Sequence, residues 1–339
     1  MDAGRLARLA ALALMLAVVP GALRLLPDHP APDRAEATAV PLASSSVYAD
    51  EVAISAPATF TGPVADAGPL PAGFDVPRGG AGGVYALVIG IDDYPGSSGD
   101  LTSAVADADT IDAALTGFGV PAGNRVVLRD GQARKGAVVA AIQQLAALGG
   151  PSATLVFAYA GHARKLDADT EALVTAEGDL LTDQELAGLL APVRARTWLL
   201  LATCFAGGFT EATGPGRVLT AAADASSLAY ESPALRASYL VHHLVREGWL
   251  QGRAGASVQD AFAYADAQMA AQNPERRPVQ VDGGGGPLVL GAGDPTTAFG
   301  LAPQPDAPPT TTTVPPAGPP STAPPRPERE CSLLVLCSG

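Results

Sequence analysis

The chain has 339 residues, including 38 glycines and 31 prolines, and its formal net charge is −13. Such an acidic chain is a poor partner for the phosphate backbone of a nucleic acid, and it has no Cys/His spacing typical of zinc sites. We therefore expect no nucleic-acid partner, no metal site and no cofactor. The sequence does not indicate whether calcium is required or how many chains associate.

The N-terminus combines basic residues with a short apolar segment. Arg5 and Arg8 precede an uncharged run from Leu9 to Leu23, which is shorter than the roughly 20 residues that span a bilayer. This pattern predicts a signal peptide or signal anchor over residues 1–26. The chain is then exported, either secreted or anchored to the outer face of the membrane, and it contacts the membrane only through this segment. The alternative is an N-terminal core helix.

Two proline-rich regions flank the remaining sequence. Residues 27–81 and 292–339 are too rich in proline to form the interior of a sheet. We interpret the first as a spacer and the second as a Pro/Thr-rich tail. Residues 82–291 then form one domain of ordinary size.

The chain has three cysteines, of which Cys331 and Cys337 lie at the extreme end of the tail. In an oxidising compartment these two form a candidate disulfide. Cys204 is then the odd cysteine. An odd cysteine in an exported protein is either a packed core residue or a reactive thiol.

Within residues 82–291, continuous apolar runs alternate with helical patterns. The predicted strands are Val84–Ile91, 124–130, Ala153–Ala160, 196–203, Gly216–Ala223 and Gly286–Leu290. The predicted helices are Ala104–Phe118, Ala133–Leu148, a helix after the capping box Thr182–Glu185, and two helices around 234–248 and 257–271. Strands that are apolar on both faces and alternate with helices predict a mostly parallel sheet covered on both sides.

Two chemically versatile side chains follow the ends of predicted strands. His162 comes just after the strand that ends at Ala160, and Cys204 follows the next strand. One helix separates these strands, so we expect them to be neighbours whose carboxyl ends meet at one edge of the sheet. The other histidines are His29 in the spacer and the pair His242 and His243 on a predicted helix, and none of them follows a strand.

This pairing has the parts that acyl transfer needs. A cysteine nucleophile requires a base, which His162 can supply to Cys204. An oxyanion intermediate requires hydrogen-bond donors, which the backbone N–H groups of Ala163 and Cys204 can provide. The alternative is that Cys204 is an inert core thiol and His162 an ordinary buried or surface histidine.

Several segments resemble a known family. "YAGHA" and "ATCFAGG" place His162 and Cys204 42 residues apart, and they resemble the His and Cys motifs of caspase-like cysteine peptidases, the clan of metacaspases, paracaspases and legumains. "YALVIGIDDYP", "LTSAVADADTIDAAL", "GRVLTAAADASSLAYES" and "RRPVQVDGGGGPLVL" resemble other segments of the bacterial metacaspase-like domain. The resemblance covers 82–291. It implies a caspase-like three-layer α/β sandwich and a cysteine endopeptidase that acts on peptides or proteins.

The chain also departs from the family pattern. Ala163 stands where relatives commonly have glycine, and Ala202 and Ala206 replace an aspartate and a serine around the cysteine. Asp107 and Glu231 match acidic positions of the S1 pocket, the pocket for the residue before the cleaved bond. The resemblance therefore implies an S1 pocket lined by Asp107, Ala202 and Glu231, and cleavage after Arg or Lys.

Three alternatives stay open at this point. Asp107 and Glu231 are equally compatible with solvated surface charges. The three alanine substitutions are compatible with a degenerate domain that binds peptide or protein partners without cutting them. The Pro/Thr-rich tail is also compatible with a structural domain displayed on a stalk.

Overall fold

A computed structural model of the chain describes residues 52–54, 68–74, 82–96, 99–148 and 150–299. The predicted signal segment and residues 300–339 of the tail, with Cys331 and Cys337, lie outside the described residues. Helices that could cross a bilayer are absent from the described ranges, because none is both long and apolar enough.

The described strands and helices alternate over most of the domain. The strands are β1 (Val52–Ala53), β2 (Gly83–Gly90), β3 (Arg125–Arg129), β4 (Ala153–Ala160), β5 (Ala163–Lys165), β6 (Glu171–Val174), β7 (Leu180–Thr182), β8 (Arg196–Ala202), β9 (Arg217–Ala221), β10 (Tyr230–Ser232), β11 (Ala237–Ser238) and β12 (Val279–Asp282). The helices are α1 (Ala104–Gly117), α2 (Lys135–Ala147), α3 (Asp183–Leu190), α4 (Tyr239–Val241), which continues as the π-helical segment His242–Leu250, and α5 (Val258–Gln272).

Six strands form the central sheet in the order β12-β9-β8-β4-β2-β3. The five strands from β9 to β3 are mutually parallel, and β12 runs antiparallel at the edge. Right-handed crossovers place α1 on one face and α2 and α3 on the other, because the chain reverses its direction across the sheet after β3. In agreement, α1 contacts α4 and the π-helical segment, whereas α2 contacts α3. The predicted α/β sandwich with a mostly parallel sheet is confirmed.

Two small antiparallel sheets accompany the central sheet. One has the order β5-β6-β7 and follows β4 directly, and the other has the order β1-β10-β11. β1 comes from the proline-rich spacer, in which the sequence predicts no strand. A segment distant along the chain therefore completes a sheet beside the domain.

Two predicted elements are wrong. The segment Gly286–Leu290 is not a strand of the central sheet: Val289 makes an isolated bridge to Ser257, and the final sheet strand is β12. Leu288 and Leu290 are buried without joining the sheet, and apolar character alone cannot separate these two situations. The helix predicted around 234–248 begins only at Tyr239, because the preceding residues form the hairpin of β10 and β11.

The central sheet packs closely against α1 at Gly90. A Cβ atom on Gly90 would overlap the carbonyl oxygen of Ala104 and lie 2.8 Å from the Cβ of Ala108. Gly136 on α2 has open space instead, with nothing within 4 Å of an added Cβ. These two glycines therefore differ in what an added methyl group would meet.

We expect Gly90→Ala to destabilise the domain by about 1–3 kcal/mol through overpacking. Gly136→Ala is the matched control and should stabilise it by about 0.5 kcal/mol, because alanine loses less backbone entropy in a helix. Urea denaturation of both variants measures the two free energies of unfolding. Equal stabilities for the two variants would contradict the close packing of β2 on α1.

Candidate active site

His162 and Cys204 leave the same edge of the central sheet from neighbouring strands. β4 and β8 pair in parallel with Ala160 opposite Ala202. His162 and Cys204 each follow their member of this pair by two residues. The predicted neighbourhood of the strands is confirmed, and both residues are buried, with 2% of His162 and 0% of Cys204 exposed.

The imidazole of His162 is anchored through one ring nitrogen. Its Nε2 lies 2.6 Å from the carbonyl oxygen of Gly99. A carbonyl can only accept a hydrogen bond, so Nε2 carries the proton and Nδ1 is the basic nitrogen of the neutral ring. Burial lowers the pKa of His162, while the carbonyl of Gly99 acts in the opposite direction. The ring is therefore neutral at physiological pH and is held in one tautomer.

Two buried tyrosines, which the sequence analysis missed, position the main chain of His162. Its N–H donates to the hydroxyl of Tyr94 over 2.8 Å, and the hydroxyl of Tyr159 lies 2.7 Å from the carbonyl oxygens of both His162 and Val174. Gly161 leaves room for both tyrosines, because a Cβ there would lie 2.7 Å from each hydroxyl. In the sequence, the position of Tyr94 and Gly99 in the turn after the first buried strand is the only sign that they could reach His162.

The thiol of Cys204 is held by the backbone of Ala229. The Ala229 N–H donates to Sγ over 3.1 Å, and Sγ lies 3.6 Å from the Ala229 carbonyl oxygen. Burial raises the pKa of Cys204 to about 12, although the hydrogen bond from Ala229 opposes this shift. Cys204 is therefore a protonated thiol in the resting structure.

The chain turns sharply after Cys204 and packs closely on its surroundings. Phe205 has a φ of 55°, a left-handed backbone conformation that residues other than glycine rarely adopt. A Cβ on Gly207 would lie 2.8 Å from the Cα of Asp224, and a Cβ on Gly208 would overlap the carboxylate of Glu171. The small residues of this motif therefore permit close packing.

Ala163 keeps a backbone conformation that suits an oxyanion donor. It begins β5 and does not have the positive φ that would require glycine. His162 accepts from the Val174 amide (3.0 Å) and Leu166 donates to Thr170 (2.8 Å) in the ladder of β5 and β6. Because such bonds alternate along an antiparallel pair, the N–H of Ala163 is directed away from β6.

The two predicted acidic pocket residues are buried, with 1% of each exposed. The interpretation of Asp107 and Glu231 as solvated charges is therefore wrong. Both carboxylate oxygens of Asp107 accept from the N–H of Ser238 (3.2 and 3.1 Å), and Glu231 accepts from the N–H and the hydroxyl of Thr102 (both 2.9 Å). Burial raises both pKa values, while the charge of Arg246 acts to lower that of Asp107.

A partly buried carboxylate, which the sequence analysis missed, follows the end of β2. Asp92 accepts from the N–H groups of Ala104 (2.7 Å) and Val105 (3.3 Å) at the start of α1. Burial raises its pKa to about 7, and the charge of Glu231 adds to this shift. The predicted pocket residue Ala202 and the substituted Ala206 are also buried, but they bring no charge to this region.

An apolar pocket lies beside β10. The guanidinium of Arg276 covers the ring of Tyr230, with 3.7 Å between its Cζ atom and the ring centroid. The pocket is lined by Ala222, Leu228, Ala229, Tyr230, Tyr239, Leu240, Met269, Gln272, Asn273 and Arg276.

Among the described residues, one group of side chains has the composition of a metal site. His242, His243 and Glu247 place ligand atoms within 4.8 Å of one another. Glu247 already accepts hydrogen bonds from His243 (2.7 Å), Arg253 (3.0 Å) and Tyr264 (3.2 Å). A metal cation would have to compete with the Arg253 guanidinium for the carboxylate of Glu247. We therefore interpret these contacts as a hydrogen-bonded network and not as a metal site.

The comparisons with known proteins give one family match and one similar solved structure. The model of the caspase domain family matches residues 84–283. A crystal structure of a protein from Geobacter sulfurreducens is similar, with 18% identity and a TM-score of 0.49 over 66% of this chain and 98% of that chain. A search of curated proteins finds no significant match.

The protonation state of Cys204 is directly measurable. We expect no thiolate absorbance attributable to Cys204 between pH 6 and pH 9, because burial raises its pKa to about 12. Titration at about 240 nm of the wild type and of Cys204→Ala isolates this residue, since Cys331 and Cys337 are present in both proteins. A difference signal centred below pH 8 would show instead a preformed thiolate.

Proposed function

Because this chain belongs to the caspase domain family, we propose that it is a cysteine endopeptidase whose nucleophile is Cys204 and whose base is His162. One observation carries the proposal. The two side chains leave paired strands at one edge of the sheet, and the hydrogen bond from His162 Nε2 to Gly99 keeps Nδ1 basic. The substrate is a peptide or protein.

The neutral resting pair favours proton transfer during the attack itself. As Sγ of Cys204 bonds to the substrate carbonyl carbon, its proton passes to Nδ1 of His162. The carbonyl oxygen becomes an oxyanion, which the backbone N–H groups of Ala163 and Cys204 stabilise. The carbonyl of Gly99 then lies against a positively charged ring and stabilises it.

The same two residues complete the reaction. The imidazolium of His162 donates its Nδ1 proton to the leaving amine, the peptide C–N bond breaks, and a thioester to Cys204 remains. A water molecule then attacks the thioester carbon while His162 accepts a proton from it. The C–S bond then breaks, the acid product leaves, and the imidazolium of His162 returns its proton to the sulfur of Cys204.

Removing either member of the dyad should abolish turnover. We expect Cys204→Ala and His162→Ala each to lower kcat/KM for a peptide substrate by at least about 1,000-fold while leaving the circular dichroism spectrum unchanged. Cys331→Ala and His29→Ala are matched controls from the tail and the spacer, and they should keep wild-type activity. Wild-type turnover in either dyad variant would end the assignment.

A binding module without catalysis is the second candidate. It is motivated by the three substitutions Ala163, Ala202 and Ala206. All three are fully buried, and the last two bring no polar group to the cysteine motif. In that case the wild type and Cys204→Ala should bind a peptide probe with equal affinity, and neither should release a product. Product formation by the wild type alone would exclude this candidate.

The proposal includes a preference for Arg or Lys before the cleaved bond. Asp107 and Glu231 are buried carboxylates whose charged forms are disfavoured by desolvation, so an incoming cation would stabilise them. Ala202 removes the carboxylate that relatives have nearest the cysteine, and Arg246 already offsets part of the charge of Asp107. We therefore expect a preference weaker than that of relatives with three acids.

Specificity can be tested with fluorogenic peptides that differ only at this residue. Glu231→Gln keeps the size of the side chain and should lower kcat/KM for arginine peptides by about tenfold, the loss of one partly desolvated ion pair. Peptides with a neutral residue should be affected less. The control is Asp266→Asn, which removes a carboxylate on α5 that pairs with Arg277. An unchanged ranking in Glu231→Gln would contradict the pocket assignment.

The proposal includes export of this activity from the cytoplasm. The basic residues and short apolar run of residues 1–26 support export, and Cys331 and Cys337 would then meet an oxidising environment in which they can pair. Sequencing of the mature N-terminus separates a cleaved signal peptide from a retained anchor.

A further inference from the structure

A segment of the spacer pairs with the strand that follows the cysteine motif. In β1, Val52 pairs with Glu231 and Ala53 with Tyr230, antiparallel to β10. The ladder continues beyond β1, where the N–H of Ile54 donates to the carbonyl oxygen of Ala229 over 2.9 Å. Residues 52–54 therefore form the outer strand of the sheet β1-β10-β11.

This outer strand contacts Ala229, the residue whose backbone also holds the thiol of the proposed nucleophile. The carbonyl oxygen that accepts the N–H of Ile54 is also 3.6 Å from Sγ of Cys204, and the N–H of the same residue, Ala229, donates to Sγ. Ile54 is itself buried, with 2% of its surface exposed. Burial lowers the pKa of His162 and raises that of Cys204, and hydrogen bonding to the backbone of Ile54 opposes both shifts. The backbone of Ile54 therefore lies within reach of both members of the dyad.

The position of β1 is one that an extended peptide would need. β11 covers one side of β10, so β1 covers its only other hydrogen-bonding edge. An extended peptide commonly binds a protein by adding a strand to such an edge. A substrate that places its carbonyl at Cys204 and pairs with β10 would therefore compete with residues 52–54 for the same backbone groups.

We propose that residues 52–54 are an internal pseudosubstrate strand, which occupies the substrate groove beside β10 and leaves it when a substrate binds. This inference rests on the proposed peptidase function and adds a means of regulating the same site. The resting structure is then an inhibited state, in which the thiol of Cys204 is covered by the protein's own chain.

The composition of the segment suits an occupant that a substrate can displace. Side chains alternate along paired strands, so Ile54 lies on the face of β10 that carries Glu231. An isoleucine has no charge to offer to Glu231 and Asp107. A substrate with Arg or Lys gains an interaction that the internal strand lacks, and the few hydrogen bonds of a three-residue strand are a small barrier to exchange.

Two proline substitutions separate the strand pairing from other effects. Ile54→Pro removes the N–H that donates to Ala229. Ladder bonds alternate, so the N–H of Ala53 is directed away from β10, and Ala53→Pro stiffens the same segment without removing a ladder donor. Ile54→Val, a second control, keeps both the N–H and a buried β-branched side chain.

The first measurement is the rate at which iodoacetamide alkylates Cys204 in the full chain, followed by mass spectrometry of its peptide. We expect Ile54→Pro to raise this rate by about tenfold, the factor that corresponds to losing about 1.4 kcal/mol of strand pairing. Ala53→Pro and Ile54→Val should alkylate at close to the wild-type rate. A synthetic peptide with the sequence of residues 50–57 should slow the alkylation of Ile54→Pro again.

The second measurement is peptide turnover, which separates this inference from the proposed function. Faster alkylation with faster turnover in Ile54→Pro supports both. Faster alkylation without turnover in any variant supports the covering strand and overturns the peptidase function. Turnover by the wild type with equal alkylation rates in Ile54→Pro and Ala53→Pro overturns the pseudosubstrate strand and leaves the peptidase function standing.

Discussion

The parallel pairing of β4 with β8 is the interaction on which the candidate site depends. Its register sets Ala160 opposite Ala202. Two residues later on each strand come His162 and Cys204. A slip of one residue would turn one of these side chains to the other face of the sheet. The remaining contacts of the site refine a neighbourhood that the ladder has already set.

Burial is the second constraint, and it acts on every ionisable group of the site. It lowers the pKa of the imidazole, raises that of the thiol and raises those of the acids Asp92, Asp107 and Glu231. In the resting site the imidazole and the thiol are therefore uncharged, and desolvation disfavours the charged form of the carboxylates. The proposed preference for Arg or Lys rests on these desolvated carboxylates. Ile54, a residue of the spacer, donates its N–H to the Ala229 carbonyl beside the thiol, so a segment that precedes the domain in sequence also contributes to the surroundings of the site.

Much of the architecture could be predicted from the sequence because its signals are local. Each buried strand is a continuous apolar run, and the predicted bounds of Ala153–Ala160 are those of β4. The capping box of Thr182 and Glu185 is also confirmed, with reciprocal hydrogen bonds of 3.1 Å at the start of α3. The errors fall where an apolar pattern fits more than one structure, as at Gly286–Leu290, or where a hairpin precedes a helix, as before Tyr239.

The sequence by itself determined the fold class and the pair of residues at the centre of the candidate site, since strand ends and residue types can be seen along the chain. Only the tertiary structure decided which groups surround them. The carbonyl of Gly99 and the hydroxyl of Tyr94, both from the turn after β2, reach His162 across the sheet edge. Ile54 reaches Ala229 from a distant segment with no strand signal. These contacts are made by backbone atoms or by residues that are far apart in the chain. Neither kind of contact produces a pattern of residue types along the sequence, so neither could be predicted from it.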